Sequence, residues 1–406
     1  MQAIARGQLV RMVTVAALGY FVDLYDLILF SVVRVESLKD LGIPAEQALA
    51  QGVPLINAQM IGMLLGGLLW GVLGDKRGRL SVLYGSILMY SLANIANGFV
   101  QTVDQYIILR FIAGVGLAGE LGAGVTLVME SMPADKRGWG TTVIATLGVL
   151  GAATAAATAE FLPWRHAYLL GGFMGLALLL LRIRIGESGL FEHAKASKVS
   201  RGSLLMLFSS PGRVGRLLAI TAVGLPIWYT IAIPVTFSTE LGKALGMEVA
   251  PQASQAILFN YLGLAVGDLA CGALSQWWRS RRKVLSLFVA ATVGSVALYF
   301  ASAPVSLTAF YAICFVIGIS AGYWAMFVTV ASEQFGTNLR ATVTTSVPNF
   351  VRGGVVPMTL SLKWLMETRP VTEAAIIVGV AVVLLALVGL LTVEETFGKS
   401  LDFHEE

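Results

Sequence analysis

Apolar runs of about twenty residues recur from one end of this 406-residue chain to the other. Each is long enough to cross a hydrocarbon layer of about 30 Å as a helix. Lipid offers the backbone no hydrogen-bond partners, so only helices or a closed barrel can span it. The runs are too long and too continuous for barrel strands, which leaves helices. Charged residues make up 13% of the chain, against roughly 25% in soluble domains. The 44 glycines fit the same picture, because small residues let membrane helices approach closely. The reading is an all-α polytopic membrane protein with twelve spans, near 11–33, 52–73, 81–100, 104–128, 140–162, 164–182, 216–239, 252–276, 284–302, 305–330, 341–366 and 371–392. Cys271 and Cys314 lie in apolar runs, which argues against a disulfide framework or a metal site. Met1 to Arg11 is short and basic and has no cleavable signal. There is no nucleophile–base pair and no nucleotide loop, so neither an enzyme nor a nucleic-acid binder is expected, and no cofactor beyond a coupling proton.

The longest break between spans, Arg182 to Arg216, divides the chain. The expected parts are a first six-helix bundle (1–182), a central loop (183–215), a second six-helix bundle (216–392) and a tail (393–406). With both termini in the cytoplasm, the cytoplasmic segments hold 20 of the 28 Lys and Arg residues. The positive-inside rule therefore sets this orientation. The halves also repeat. Gly62, Gly66 and Gly71 match Gly263, Gly267 and Gly272 at an offset of 201, and Glu130 and Arg137 match Glu333 and Arg340 at an offset of 203. Two related halves predict a site near the midplane between them, with access alternating as they rock.

The loop after the second span reads Gly71-Val-Leu-Gly-Asp75-Lys-Arg77-Gly78-Arg79. It resembles the signature between helices two and three of the major facilitator superfamily. In that frame Gly71, Asp75, Arg77, Gly78 and Arg79 form a cytoplasmic latch, joined by Glu130, Arg137, Glu333 and Arg340. The corresponding loop of the second half has Gln276 where Asp75 stands, so the same latch is not expected there. Asp104, Arg110, Gly114, Gly116, Gly119, Glu120, Glu130, Pro133, Arg137 and Gly138 are similar to the fourth-helix pattern of the sugar, organic-acid and metabolite:proton branches. The tail from Glu394 to Asp402 and the Gly186-Glu187-Ser188 triplet resemble further signatures of those branches. Asp23-Leu-Tyr-Asp26 resembles the first-helix motif of aromatic acid:proton and metabolite:proton symporters, with Leu24 where the aromatic-acid branch usually has glycine. The resemblance implies the major facilitator fold, two pseudo-symmetric bundles of six helices.

A charge at the centre of a membrane helix costs roughly 2.5–3.5 kcal/mol, so each one needs a reason. The candidates are Asp23, Asp26, Arg110, Glu120, Asp268 and Arg352. No histidine is among them, so a proton carrier must be a carboxylate. Asp26 and Arg110 lie at similar depth, about 10 Å from the outer ends of their spans, and Asp23 lies about 15 Å deep. In this superfamily helices one and four line the cavity, so an Asp26–Arg110 pair is expected. It is either a proton switch or a static packing pair. Glu120 is either a transport residue or a packing carboxylate. Arg352 presents a fork suited to carboxylates; it is either the anchor of an anionic substrate or the partner of Asp268.

Asn349, Tyr25, Asn57, Gln59, Trp228, Tyr229, Asn260, Tyr261, Tyr323 and Trp324 are candidates to line the cavity around Arg352. Pro226, Pro234, Pro348 and Pro357 should kink helices seven and eleven. Together these features point to proton-coupled uptake of a small organic anion such as a carboxylate. The acidic pair in the first half would couple the proton, and Arg352 in the second would anchor the substrate. An efflux antiporter on the same fold and a non-transporting receptor are the alternatives. The expected setting is a bacterial-type inner membrane, with the chain working as a monomer.

Overall fold

A computed structural model of the protein describes residues 6–77, 79–120, 122, 137–182, 204–302, 306–399 and 405. Within them the chain runs as helices, with no strand. The first half contains α1 (Arg6–Asp40), α2 (Ala48–Arg77), α3 (Arg79–Asn97), α4 (Val103–Leu117), α5 (Arg137–Ala159) and α6 (Trp164–Arg182). The second contains α7a (Pro211–Thr230) and α7b (Ser238–Ala244), α8 (Ala253–Trp278), α9 (Arg281–Ala301), α10a (Leu307–Ala321) and α10b (Trp324–Glu333), α11a (Thr337–Gly353) and α11b (Val355–Leu365), and α12 (Val371–Thr392). Eight of the described helical stretches are long and apolar enough to cross a bilayer. Both chain ends and the α2–α3 turn share one face, called here the termini face; the α1–α2 turn lies on the far face.

The glycine repeat seen in the sequence is a repeat of one helix crossing. Gly62 and Gly66 of α2 rest against the backbone carbonyls of Phe111 and Val115 in α4. Gly263 and Gly267 of α8 rest in the same way against Phe315 and Ile319 in α10a. A Cβ at any of the four would run into those carbonyls, so only glycine permits the approach.

The breaks in the helices differ in part from expectation. The seventh helix starts at Pro211, inside the stretch assigned to the central loop. It widens over Ile231–Val235, where the Thr236 N–H reaches back five residues to the Ile231 carbonyl at 3.0 Å. Pro234 supplies the cause, since it has no N–H to give. The eleventh helix breaks at Gly353–Gly354, between Pro348 and Pro357 and not at either. Pro348 is carried inside α11a, and Pro357 falls in the first turn of α11b, where a missing N–H costs nothing. The tenth helix breaks at Gly322–Tyr323, with no proline to announce it. The fourth helix, expected over 104–128, turns at Ala118–Gly119 and is helical again at Glu120 and Gly122; positions 121 and 123–128 lie outside the described residues. α1 extends to Asp40, well past the expected 33.

The two halves meet mainly through α2 against α11 and α5 against α8. Gly67 of α2 lies directly against the Asn349 side chain and Gly71 lies near Ser346, so α11a closes tightly over α2 on the termini side. On the far side the Thr359 hydroxyl donates to Asn57 Oδ1 at 2.6 Å.

Candidate functional site

At the level between those two sets of contacts lies an ion pair that joins the halves. Arg352 Nη2 in α11a stands 3.9 Å from Asp23 Oδ2 in α1, and both side chains are fully buried. At that separation the charges attract but do not hydrogen-bond. Among the described residues neither Asp23 oxygen has a hydrogen-bond partner, nor do Arg352 Nε and Nη2. Trp228 of α7a and Trp324 of α10b each present a ring to the guanidinium at 5.6 Å from its carbon. The two indoles meet edge to face at 6.3 Å. Arg352 is thus held by cation–π contact on two sides, with an unsatisfied edge turned toward a carboxylate. Arg352 Nη1 donates to Asn349 Oδ1 at 3.3 Å.

This arrangement corrects the reading of Asp268. Its Oδ1 accepts from the Ala325 N–H at 3.1 Å. It therefore caps the start of α10b, satisfying one of the orphan donors created by the break at Gly322–Tyr323. It does not pair with Arg352.

The expected Asp26–Arg110 pair is not formed. Arg110 Nη2 donates to Gln59 Oε1 in a short hydrogen bond. Its guanidinium lies over the rings of Phe30 at 5.5 Å and Tyr168 at 5.8 Å. Asp26 is buried against Gly171, and neither of its oxygens reaches a hydrogen-bond partner. Equal depth put the two charges at one level, but the amide of Gln59, one helix over, takes the arginine. Glu120 is claimed by a residue outside the candidate set. Arg182 donates to both of its oxygens, and both side chains are buried within the first half. Arg182 also donates to the Val15 carbonyl of α1 at 3.4 Å. In this structure the Glu120 carboxylate is thus occupied by Arg182.

Several other candidates turn out to serve packing. Tyr25 donates to the Ala167 carbonyl, Tyr229 to Ala375 and Tyr323 to Val223, at 2.8–3.1 Å. Asn260 donates to the Cys314 carbonyl at 3.2 Å. Gln59 and Asn260 are one repeat apart, as are Arg110 and Cys314, so the two halves place an amide at the same crossing. Asn57 and Asn349 bridge the halves. Trp228 and Trp324 line the Arg352 site, and Tyr261 is buried within electrostatic reach of the guanidinium. An apolar cleft of about 460 Å³ between α7, α9 and α12, lined by Val293, Val296, Phe300 and Val380 among others, lies apart from these charges. Its two hydroxyl residues, Tyr229 and Thr292, donate to helix carbonyls.

Of the latch residues, Gly78 and Glu130 lie outside the described residues, as do the side chains of Asp75, Arg79, Arg137 and Arg340. Arg77 ends α2 and is exposed. In the second half an ion-pair and hydrogen-bond network stands at the loop corresponding to the first-half latch motif, despite Gln276. Arg281 pairs with Glu333 at 3.4 Å, and the Thr396 hydroxyl donates to Glu333 at 2.6 Å. Glu395 accepts from the Ser280 hydroxyl and from the Arg281 N–H at the start of α9. Burial raises the Glu395 carboxyl, and these bonds, with those from the Phe397 and Arg282 N–H groups, outweigh it and hold the group below the ordinary carboxylate range.

Arg34 was missed. It read as a boundary charge at the end of a span, but α1 continues and buries it completely. Arg34 Nη1 pairs with Glu240 Oε1 of α7b at 2.7 Å, and Nη2 donates to the Thr236 carbonyl at 3.3 Å. The signal was available: Asp23, Asp26 and Arg34 fall on one stripe of α1 at helical spacing.

Two helix bundles are thus joined by a buried ion pair, with bridging contacts on either side of it. Residues 16–354 match the sequence model of the Major Facilitator Superfamily, and the chain belongs to that family. It is a multi-pass membrane transporter and not an enzyme. It is 27% identical to a Haemophilus influenzae protein named for metabolite transport, over 95% of this chain and 96% of that one. It is 26% identical to a Cupriavidus pinatubonensis protein named for 4-methylmuconolactone transport, over 80% and 76%. A niacin transporter of Acinetobacter baylyi is 32% identical over 43% of this chain and 40% of that one. Among solved structures, the xylose transporter XylE from E. coli, in a partially occluded inward-open form, superposes with a TM-score of 0.74 at 16% identity, covering 97% of this chain and all 100% of that one. That likeness shows the twelve-helix, two-bundle fold.

Proposed function

We propose that the protein imports a small planar organic monocarboxylate together with a proton, the cargo carboxylate replacing that of Asp23 at Arg352. The observation that carries this reading is the loose Asp23–Arg352 contact across the halves. A buried arginine needs one anion beside it, because an unpaired buried charge costs several kcal/mol. Either Asp23 or a cargo carboxylate can meet that need. Once the cargo takes the guanidinium, Asp23 is a buried carboxylate without a cation and is stable only with a proton. Cargo and proton then move together, and the net charge of the site stays constant. Asp26, one turn along the same face of α1, offers a second acceptor on the path toward Arg110.

Trp228 and Trp324 favour a flat cargo, since their rings give it apolar walls on either side of the charge. The relatives named for niacin and 4-methylmuconolactone transport support the same class, niacin being a pyridine monocarboxylic acid. The distribution of basic residues favours cytoplasmic termini, and the bacterial relatives favour an inner membrane. The far face would then be the exterior. One chain contains both halves of the site, which supports a working monomer.

The test is uptake of radiolabelled nicotinate and benzoate into proteoliposomes with and without an inward proton gradient. The wild-type protein should accumulate cargo only with the gradient. Asp23→Asn should keep exchange of internal for external cargo and lose gradient-driven accumulation. Uptake indifferent to the gradient would remove proton coupling, and transport of neither acid would remove the cargo class.

A further inference from the structure

Asn349 sits between the guanidinium of Arg352 and the first half of the molecule, and each end of its amide has a different partner. Its Oδ1 accepts from Arg352 Nη1 at 3.3 Å. Its Nδ2 donates to the Ala118 carbonyl of the first half at 3.1 Å, and to the Thr345 carbonyl of its own helix at 2.9 Å. The partners leave one orientation of the amide, because carbonyls can only accept and a guanidinium can only donate. The Ala118 carbonyl lies in the turn that interrupts the fourth helix at Ala118–Gly119. Gly67 permits the whole arrangement: a Cβ there would occupy the space of the Asn349 side chain. The amide is fully enclosed, and it lies on the termini side of Arg352, where α11a covers α2 and α4.

We infer that Asn349 is a relay: it transmits the state of the Arg352 guanidinium to the contact that closes the termini side of the molecule. With Arg352 turned toward Asp23, Nη1 fixes Oδ1 and the amide is aimed at Ala118. An anion that draws the guanidinium away removes the donor from Oδ1. A buried amide oxygen without a donor is costly, so the amide turns, and the bond to Ala118 goes with it. Asn349 then positions the closed state without touching the cargo. This rests on Arg352 as the anion anchor, but the coupling itself can be tested with no cargo present.

The experiment measures the distance between spin labels at Arg77→Cys and Lys283→Cys, two exposed positions on the termini face of opposite halves. The native cysteines, Cys271 and Cys314, are buried. Asn349→Ala should raise the open-to-closed ratio on this face about fivefold, the worth of one net hydrogen bond. Arg352→Lys keeps the charge opposite Asp23 but lacks the fork that reaches both Asp23 and Asn349. It should shift the ratio as far as Asn349→Ala, and the double variant should go no further. If Arg352→Lys leaves the face closed, or if the two shifts add, the relay is overturned. Asp23→Asn with Arg352→Met removes both charges and the donor to Asn349, and repeats the cycle should the lysine variant fail to fold. There the effect of Asn349→Ala should vanish, and its full persistence would mark Asn349 as a fixed clamp. A separate arm adds nicotinate to the wild type and follows tryptophan fluorescence and the same distance. Silence in both would count against the cargo reading, while the cargo-free cycle still decides the relay.

Discussion

Buried arginines and carboxylates decide most of what this molecule does, and each is explained by its partner more than by its own position. Arg182 and Glu120 are the tightest such pair, with two hydrogen bonds and both side chains buried. Removing one partner leaves an uncompensated charge, which costs about 3–5 kcal/mol. Glu120→Gln should therefore lower the melting temperature in detergent sharply, and Glu120→Gln combined with Arg182→Met should recover most of the loss. If Glu120→Gln instead melts like the wild type and abolishes gradient-driven uptake, Glu120 is a proton carrier after all. The sequence made the cost of Asp23, Asp26, Arg110, Glu120 and Arg352 visible, since each interrupts an apolar run. It did not reveal the pairings. Arg34 looked like a boundary charge because its span was read too short, and Arg182 because it is the last residue of its span. Arg110 was matched to Asp26 by depth alone, and depth cannot register a neutral amide such as Gln59 reaching across from the next helix. Asp23 and Arg352 were each singled out, yet assigned to separate tasks, because facing between halves is not written in either helix.

At the level of helices, the crossing of α2 with α4 and its copy in α8 with α10a were legible as glycines at a fixed offset. The offset reported similarity, and the structure supplies its reason: backbone carbonyls occupy the space of the missing Cβ atoms. Gly66→Ala and Gly267→Ala should both force the paired helices apart and lower the melting temperature. Gly294→Ala on α9, where nothing lies within 4 Å of a new Cβ, should be neutral or gain about 0.5–1 kcal/mol of helix stability. Equal melting of all three variants would show that the close approach is not what the repeat preserves. The break in α10 at Gly322 was not legible. Glycine inside a membrane helix is common, and the cap on Ala325 comes from Asp268 of α8, a residue with no local signal near Gly322. The second-half network was obscured for a related reason: Gln276 removed the expected acid, while Glu333 and Glu395 supply the charge from elsewhere in the chain.

Taken whole, the molecule is bridged on both sides of its central ion pair. Asn349 with Ala118 closes the termini side, and Arg34 with Glu240, helped by Thr359 with Asn57, closes the far side. The far-side pair joins α1 to α7b just beyond the wide turn at Pro234. Glu240→Gln leaves Arg34 buried without its anion and should disfavour far-side closure by about 3–5 kcal/mol, enough to invert a two-state population. Spin labels at Glu46→Cys and Glu248→Cys, both exposed on that face, should then report longer distances, with the termini-face distance unchanged or shorter. An unchanged far-face distance would mean that the pair is decoration on a contact held by packing alone. One helix, α11, carries the arginine together with both Asn349 and Thr359, whereas the walls around the arginine, Trp228 and Trp324, come from α7a and α10b. The parts that would sort one cargo from another thus stand on other helices than the parts that drive the cycle. Because both tryptophans also hold the guanidinium, an exchange of either one would reshape the walls of the site and loosen Arg352 in the same step.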